Sequence, residues 1–298
     1  MDEVAENSSY IICRYAHPFH YLHRPSVKKY ILGLLAALLG GGIVCAVAVV
    51  SLHALGSVGP APGSIIMADE EELTYEVTWS FIKLGVVRLK ANTDFSVQAW
   101  IDSYDGLPYV DLHSIYYSRM DSSLYSSGSW SLEKQEDGGW AGLNYIYDLP
   151  NKRLALEEVR QKDPQTPPHH RKSRDTIELN GTSFLDGISI GFHPRTLIHA
   201  SQSVQVPTVL RGKLGTTTFY LPGEQTTVDL DAVDYPVRAI EMEGTTSVVG
   251  VFGMTGDFTG WFSDDPYAVP LKGKLKVLLG SVTMELVKWK RGSWNPPR

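Results

Sequence analysis

The sequence predicts an all-β protein: a large curved antiparallel sheet closing into a barrel or half-barrel, preceded by one N-terminal transmembrane helix. Three observations carry this expectation. The stretch "LTYEVTWSF" puts Leu73, Tyr75, Val77, Trp79 and Phe81 on one face of an extended chain and Thr74, Glu76, Thr78 and Ser80 on the other, the period-two alternation of a half-buried strand. Similar short segments recur toward the C-terminus, each bounded by Gly, Asp, Asn, Ser or Pro, the residues with which antiparallel sheets make their turns. Between residues 30 and 68 there is no Lys, Arg, Asp or Glu.

The uncharged run sets the expected address. Its centre, "ILGLLAALLGGGIVCAVAVVSL", would reach about 33 Å as a helix, enough to cross a bilayer, and lacks the polar face of a buried core helix. Lys28 and Lys29 precede it, with Arg24 and Arg14 further back, whereas "DEEE" follows at residues 69–72. The positive-inside rule then keeps the N-terminus cytoplasmic and puts the C-terminal bulk outside. The expected order is a cytoplasmic tail at 1–29, a transmembrane helix or signal anchor at 30–55, a linker at 56–70, a β-domain at 71–293 and a tail at 294–298. This predicts an inner-membrane protein with its C-terminal domain in the periplasm, in contact with the membrane through residues 30–55. The alternative is a periplasmic protein after signal cleavage, because "VKKYILGLLAALL" reads like a secretory signal starting at Val27, with cleavage after Gly63 or Ala68. The run exceeds the usual signal core, which favours the uncleaved anchor. "GIVC", ending at Cys45, does not look like a lipid-attachment site.

The bulk numbers narrow the classes. A chain of 298 residues, 43% hydrophobic and 20% charged, can bury a sizeable core and is not disordered. A formal charge of −6 gives no reason to expect nucleic-acid binding. Cys13 and Cys45 both precede the β-domain, so neither a disulfide framework nor a Cys-based zinc site is expected there.

Along the domain, "KLGVVRLKAN" follows the first strand as the second arm of a hairpin or as a bulged continuation. Further strands are expected at 95–102, 113–120 and 142–148, then at "TTFYLPG", "YPVRAIEM", "GDFTGWFS" and "PLKGKLKVLLGSVTMELVKW". About ten antiparallel strands would curl to bury one face. "NKRLALEEVRQK" suits a short helix or a strand. Residues 186–200 are the better helical segment, with Phe192, Leu197 and Ile198 as its apolar contacts and Pro194 near its start. "RQKDPQTPPHHRKSRD", at 160–175, is expected as a loop; its His169 and His170 have no Cys or carboxylate at ligand-like spacing, so no metal or cofactor is expected.

Three motifs then converge. "EELTYEVTW" leads to "LGVVRLK"; "DGISIGFHPRT" places Asp186, Ser189 and Arg195; "GWFSDDPYAVPLKGKLKVLLGSVTMEL" places Ser263, Asp264, Asp265 and Pro270. In this order, over residues 71–286, the chain resembles the exported bacterial domain-of-unknown-function family 3108, with its Tyr-Trp strand, Asp-x-x-Ser segment ending in Arg, Ser-Asp turn, Val-Pro and Leu-Gly-Ser strand. The resemblance implies a curved antiparallel sheet and an envelope location, and no established reaction. Its shape invites comparison with lipoprotein-carrier half-barrels that hold acyl chains in a concave apolar face, an analogy of fold alone.

Residue chemistry points away from catalysis. Ser263, Asp264 and Asp265 before Pro266 have the composition of a turn in which carboxylates cap backbone amides; a catalytic pair would need both groups on one substrate in different environments. Ser189 and His193 share a helix face but lack a nucleophile elbow, and Asp186 reads as an N-cap with Arg195 paired to a carboxylate. "TSVVGVFGMTG" is no phosphate loop. The aromatic residues Tyr75, Trp79, Trp100, Tyr116, Tyr220 and Trp261 are candidates to line a ligand cavity, although with Phe258 they also suit core filling, and Trp79 and Trp261 are expected to be buried. The leading expectation is a non-enzymatic envelope protein binding a lipid or lipid-linked glycan. The alternatives are a scaffolding module presenting residues 160–175 to an envelope protein partner and, last, a hydrolase using Asp264 or Asp265.

Overall fold

The computed structural model describes residues 61–107, 111–248, 256–277 and 280–298, so the expected cytoplasmic tail and the transmembrane segment at 30–55 lie outside the described residues. Among those described, no helix is long and apolar enough to cross a membrane.

The alternation at 73–79 becomes β1 (Glu71–Trp79), which turns into β2 (Ile82–Ala91). The hairpin carries a bulge between Val77 and Thr78, opposite Gly85, where a side chain would run into the Asp102 carbonyl. The meander continues through β3 (Ser96–Ser103), β4 (His113–Met120), β5 (Ser126–Lys134), β6 (Trp140–Asp148), β7 (Arg153–Gln161) and β8 (His170–Glu178). A second meander holds β9 (Gln202–Leu210), β10 (Lys213–Leu221), β11 (Gln225–Val228), β12 (Val237–Thr246), β13 (Gly256–Ser263), β14 (Pro270–Lys276) and β15 (Ser281–Lys290).

These elements form one 15-stranded sheet, ordered β8-β7-β6-β5-β4-β3-β2-β1-β15-β14-β13-β12-β10-β9, with β11 paired to β12. Every strand pairing is antiparallel. Pairing of β1 with β15 joins the two meanders, leaving β8 and β9 as the outer strands. The sheet curls but does not close, a correction to the fully closed barrel. Instead of pairing with β8, β9 tucks against the inner face of β6 and β7: Val209 packs with Leu154, Leu179 and Phe184, and Gly212 N–H donates to Tyr145 Oη at 3.1 Å.

The segment between β8 and β9 fills the concavity. It was expected to be helical over 186–200 but forms only two single turns, α2 (Ser189–Phe192) and a 3-10 turn (His193–Thr196). Leu185 bonds β9 in parallel through the Pro207 carbonyl and the Val209 N–H, and Phe184 C=O accepts from Ser126 N–H. Leu185 and Ile198 pack with Val206, Phe219, Ile240, Met242 and Phe262, while Ile188 and Phe192 pack with Val97, Ala99, Met120 and Leu124. The connection is therefore a plug, buried by side chains from both meanders.

Other expectations are corrected. Among the described residues, fifteen strands replace about ten. Of the two readings of residues 151–162 the strand holds, as β7, because Leu154 and Leu156 alternate inward. The 160–175 loop is in fact a hairpin turn followed by β8, whose side chains are exposed along nearly its whole length, the dress of a protected edge strand. The 56–70 linker contains α1 (Pro62–Ile66), and Ile66 and Met67 enter the core beside Leu124 and Phe192. The terminal residues also pack: Trp294 Nε1 donates to Asp265 Oδ2 and Arg238 N–H to the Pro297 carbonyl.

Candidate functional site

Two buried polar clusters hold the plug. Asp186 caps α2: its Oδ1 accepts Ile188 and Ser189 N–H at 2.9 and 2.8 Å, and its own N–H donates to Ser189 Oγ at 2.7 Å, a reciprocal capping box. Its Oδ2 accepts both Ser118 and Ser126 Oγ–H at 2.6 Å. A carboxylate only accepts, so the chain has one direction: with Ser126 donating to Asp186, the Tyr147 hydroxyl donates to Ser126 Oγ and Ser129 donates to Tyr147, both at 2.7 Å. Burial pushes the Tyr147 hydroxyl far above its usual range, which keeps it a donor.

The second cluster is a clasp of Glu71, Arg195 and Arg291, each 2 to 3% exposed. Arg195 makes a two-pronged pair with Glu71 at 2.8 and 2.9 Å and bonds the Tyr267 carbonyl. Arg291 shares Glu71 Oε2 at 3.1 Å, stacks over the Tyr267 ring, and donates to the carbonyls of Ile65 and Ile66. The clasp thereby ties α1, β1, the plug, the 263–269 turn and the end of β15 together.

Ser189 and His193 do not form a nucleophile and base. The Ser189 hydroxyl serves the Asp186 cap, while His193 Nδ1 lies 2.9 Å from the Ser123 carbonyl and its ring packs on Tyr125. Burial pulls the His193 pKa below its ordinary value. The neutral ring donates through Nδ1, and its buried Nε2 has no partner.

Asp265 caps the 263–269 turn, whereas the Asp264 carboxylate reaches out of it. Asp265 Oδ1 accepts Tyr267 and Ala268 N–H, its Oδ2 accepts the Trp294 indole, and Ser263 Oγ accepts Val269 N–H at 2.8 Å. Asp264 Oδ2 accepts Gln225 Nε2 at 2.8 Å. The Pro270 carbonyl accepts the buried Tyr75 hydroxyl at 2.8 Å.

The six candidate aromatic residues do not meet in one cavity. Tyr75 is core. Trp79 closes the end of β1 and is 36% exposed, so its expected burial is corrected: the strand ends at the rim, where the row through Val282 and Leu275 runs out. Trp261 is half-buried, packed against the cluster that holds Val237, Ala239 and Leu271, with its indole N–H bonded to Glu241, while its neighbour Phe262 joins the core around the plug. Trp100 lies under Arg88, and Tyr220 lines a polar groove of about 630 Å³ with Glu241 and Glu243. Only Tyr116 belongs to the opening at the seam of the sheet.

That opening is a cavity of about 530 Å³ between the inner face of β4–β8, the plug and the β9–β10 turn, where the sheet fails to close. Its apolar wall is Tyr116, Leu143, Tyr145, Ile188, Val209 and Leu210. Burial pushes the Tyr145 hydroxyl up to about 12. Polar groups gather around this wall: Glu133, Glu158, Arg160, His170, Arg174, Arg211 and Lys213. Tyr116 donates to Glu133 at 3.2 Å. Sequence reasoning met Arg160, His170 and Arg174 only within the 160–175 segment and missed their convergence with Glu133, Glu158, Arg211 and Lys213, because they come from separate strands; the available signal was Arg211-Gly212, a two-residue hairpin turn between alternating segments.

The fold and site define a plugged, barrel-like β domain with an open seam. No family model matches the chain, and no curated protein matches it. Among solved structures, it is similar to the "Beta-barrel-like Protein of Domain of Unknown Function DUF1849 from Brucella abortus", at 10% identity and a TM-score of 0.50, over 75% of this chain and 98% of that one. The likeness is one of fold, to a domain-of-unknown-function protein of a different number from the 3108 family expected from the motifs, and it indicates no catalytic family.

Proposed function

We propose that the protein is a non-enzymatic binding protein of the cell envelope that holds an amphipathic ligand, a lipid or lipid-linked glycan, in the cavity at the open seam. The single observation that carries this reading is the cavity itself: at about 530 Å³ it has the size of small-molecule sites, and its lining combines apolar residues such as Tyr116, Leu143, Tyr145 and Val209 with charged ones. The plug braces the cavity wall through the bonds of Asp186 to Ser118 and Ser126, so the pocket is preformed rather than created on binding. Membrane attachment through residues 30–55, with the β-domain on the periplasmic side, would put the opening near a source of such ligands. Native mass spectrometry of the full-length chain tests the reading. A lipid or glycolipid adduct lost on filling the cavity supports it; ligand-free protein from membranes rich in such molecules contradicts it.

A second reading has one observation in its favour. The β8 strand bears Arg171, Lys172 and Arg174, is exposed, and has no strand on its far side among the described residues, which suits addition of an extended segment from an envelope partner. Crosslinking from β8 that survives replacement of Thr176 by Pro would argue against it. The hydrolase reading is weaker, since Asp265 is engaged in capping the turn and bonding Trp294, while Asp264 bonds Gln225, so the two carboxylates do not face one site as a pair.

A further inference from the structure

Resting on the cavity reading above, we infer that the amphiphile carries an anionic headgroup, a phosphate or carboxylate, that straddles the open seam. Four cations converge there from its two sides: Arg160 and Arg174 from β7 and β8, Arg211 and Lys213 from the β9–β10 turn. Two carboxylates of the lining face them, and each reaches one cation only loosely, Glu158 to Arg174 at 3.7 Å and Glu133 to Arg211 at 3.8 Å. Arg160 and Lys213 have no carboxylate partner among the described residues. The third lining carboxylate, Asp186, is held by two hydroxyls and two backbone amides, and even with it counted the four cations outnumber the three carboxylates. The lining therefore carries a surplus of positive charge within a protein whose formal charge is −6.

The backbone points the same way. Arg211 sits at φ 50 and Gly212 at φ 73, both in the left-handed region that this tight turn requires. Gly is at ease there, and Asn would suit the first position better than Arg. An arginine in that conformation delivers a guanidinium to the cavity at a backbone cost that another residue would avoid. Like charges on the two sides of an unpaired seam repel each other, and an anion between them converts that repulsion into two sets of charge-assisted hydrogen bonds. Tyr116, Leu143 and Tyr145 lie beside them to take the alkyl part.

The test uses the full-length chain and native mass spectrometry, titrating dodecyl phosphate, dodecyl maltoside, dodecyltrimethylammonium and inorganic phosphate below micelle formation. Dodecyl phosphate is expected to bind at least about fivefold more tightly than dodecyl maltoside, a preference that shrinks as salt rises. The double variant Arg160→Gln/Lys213→Gln should lose that preference while keeping its affinity for dodecyl maltoside. Arg211→Asn, which relaxes the turn, should weaken dodecyl phosphate binding and leave the unfolding temperature unchanged or higher. Equal binding of dodecyl phosphate and dodecyl maltoside would overturn the headgroup assignment and leave the cavity reading intact. Binding of none of the three amphiphiles would overturn the cavity reading itself. Inorganic phosphate binding as tightly as dodecyl phosphate would assign the cations to a free anion and overturn the amphiphile.

Discussion

His193 is the residue whose environment most directly sets a pH response. It is buried with a lowered pKa, so the folded chain keeps the ring neutral while the unfolded chain takes up a proton below about pH 6.5. The unfolded state then binds more protons, and stability falls as the pH drops from that value toward the folded pKa, by at most about 1.4 kcal/mol per pH unit. Urea unfolding at about pH 7.5 and about pH 5.5 should show this loss, and His193→Phe, which keeps a ring against Tyr125, should flatten it. At the same scale, Asp186→Ala should cost about 3 kcal/mol, because it removes a capping box and strands two buried serine hydroxyls. Trp79→Ala should cost only about 1 to 2 kcal/mol, since the side chain is part-exposed at the rim. Thermal melts of the two variants check an ordering that strand periodicity alone would reverse. The Asp186 cap was legible in the sequence because Asp-x-x-Ser is a local signal; its bonds to Ser118 and Ser126, some 60 residues away in the chain, were not.

Elements divide by whether their environment repeats along the chain. β1 faces water on one side and core on the other, so alternation announces it. β5, "SSGSWSLEK", uses serines inward because it faces the polar Asp186 network, and β8 faces solvent almost throughout; neither pattern contains the period-two contrast. β9 carries Pro207, which reads as a breaker until the strand proves to be the outermost one, its far side bonded by Leu185. Contact between β5 and β6 rests on Gly142, where a side chain would overlap the Ser131 carbonyl. Gly142→Ala should therefore destabilise the protein by about 1 to 3 kcal/mol and loosen the cavity wall, seen as faster amide hydrogen exchange in β5 and β6 than in β1 and β15.

In the whole molecule, the chain's curvature is stabilised by what fills it. Antiparallel class, curved sheet and turn positions were readable from sequence; the plug, the overlap of β9 with β6–β7 and the Glu71–Arg195–Arg291 clasp depend on residues far apart in the chain and carry no local signature. Glu71→Gln leaves two buried guanidinium groups without a carboxylate and should cost about 3 to 5 kcal/mol, measured by denaturant midpoint at constant m-value. The seam left by incomplete closure is where the cavity opens, so fold and proposed function meet in that one feature. Ser131 lies on its inner wall between Tyr116 and Leu143 in the register of β4, β5 and β6, and a phenylalanine there fills the space with a residue that strands favour. The most direct measurement is the binding of dodecyl phosphate to the full-length chain, compared between wild type and Ser131→Phe by native mass spectrometry, with circular dichroism melts to establish that both are folded. Saturable binding to wild type that Ser131→Phe abolishes is the predicted result; equal binding to both folded proteins, or to neither, would contradict the account.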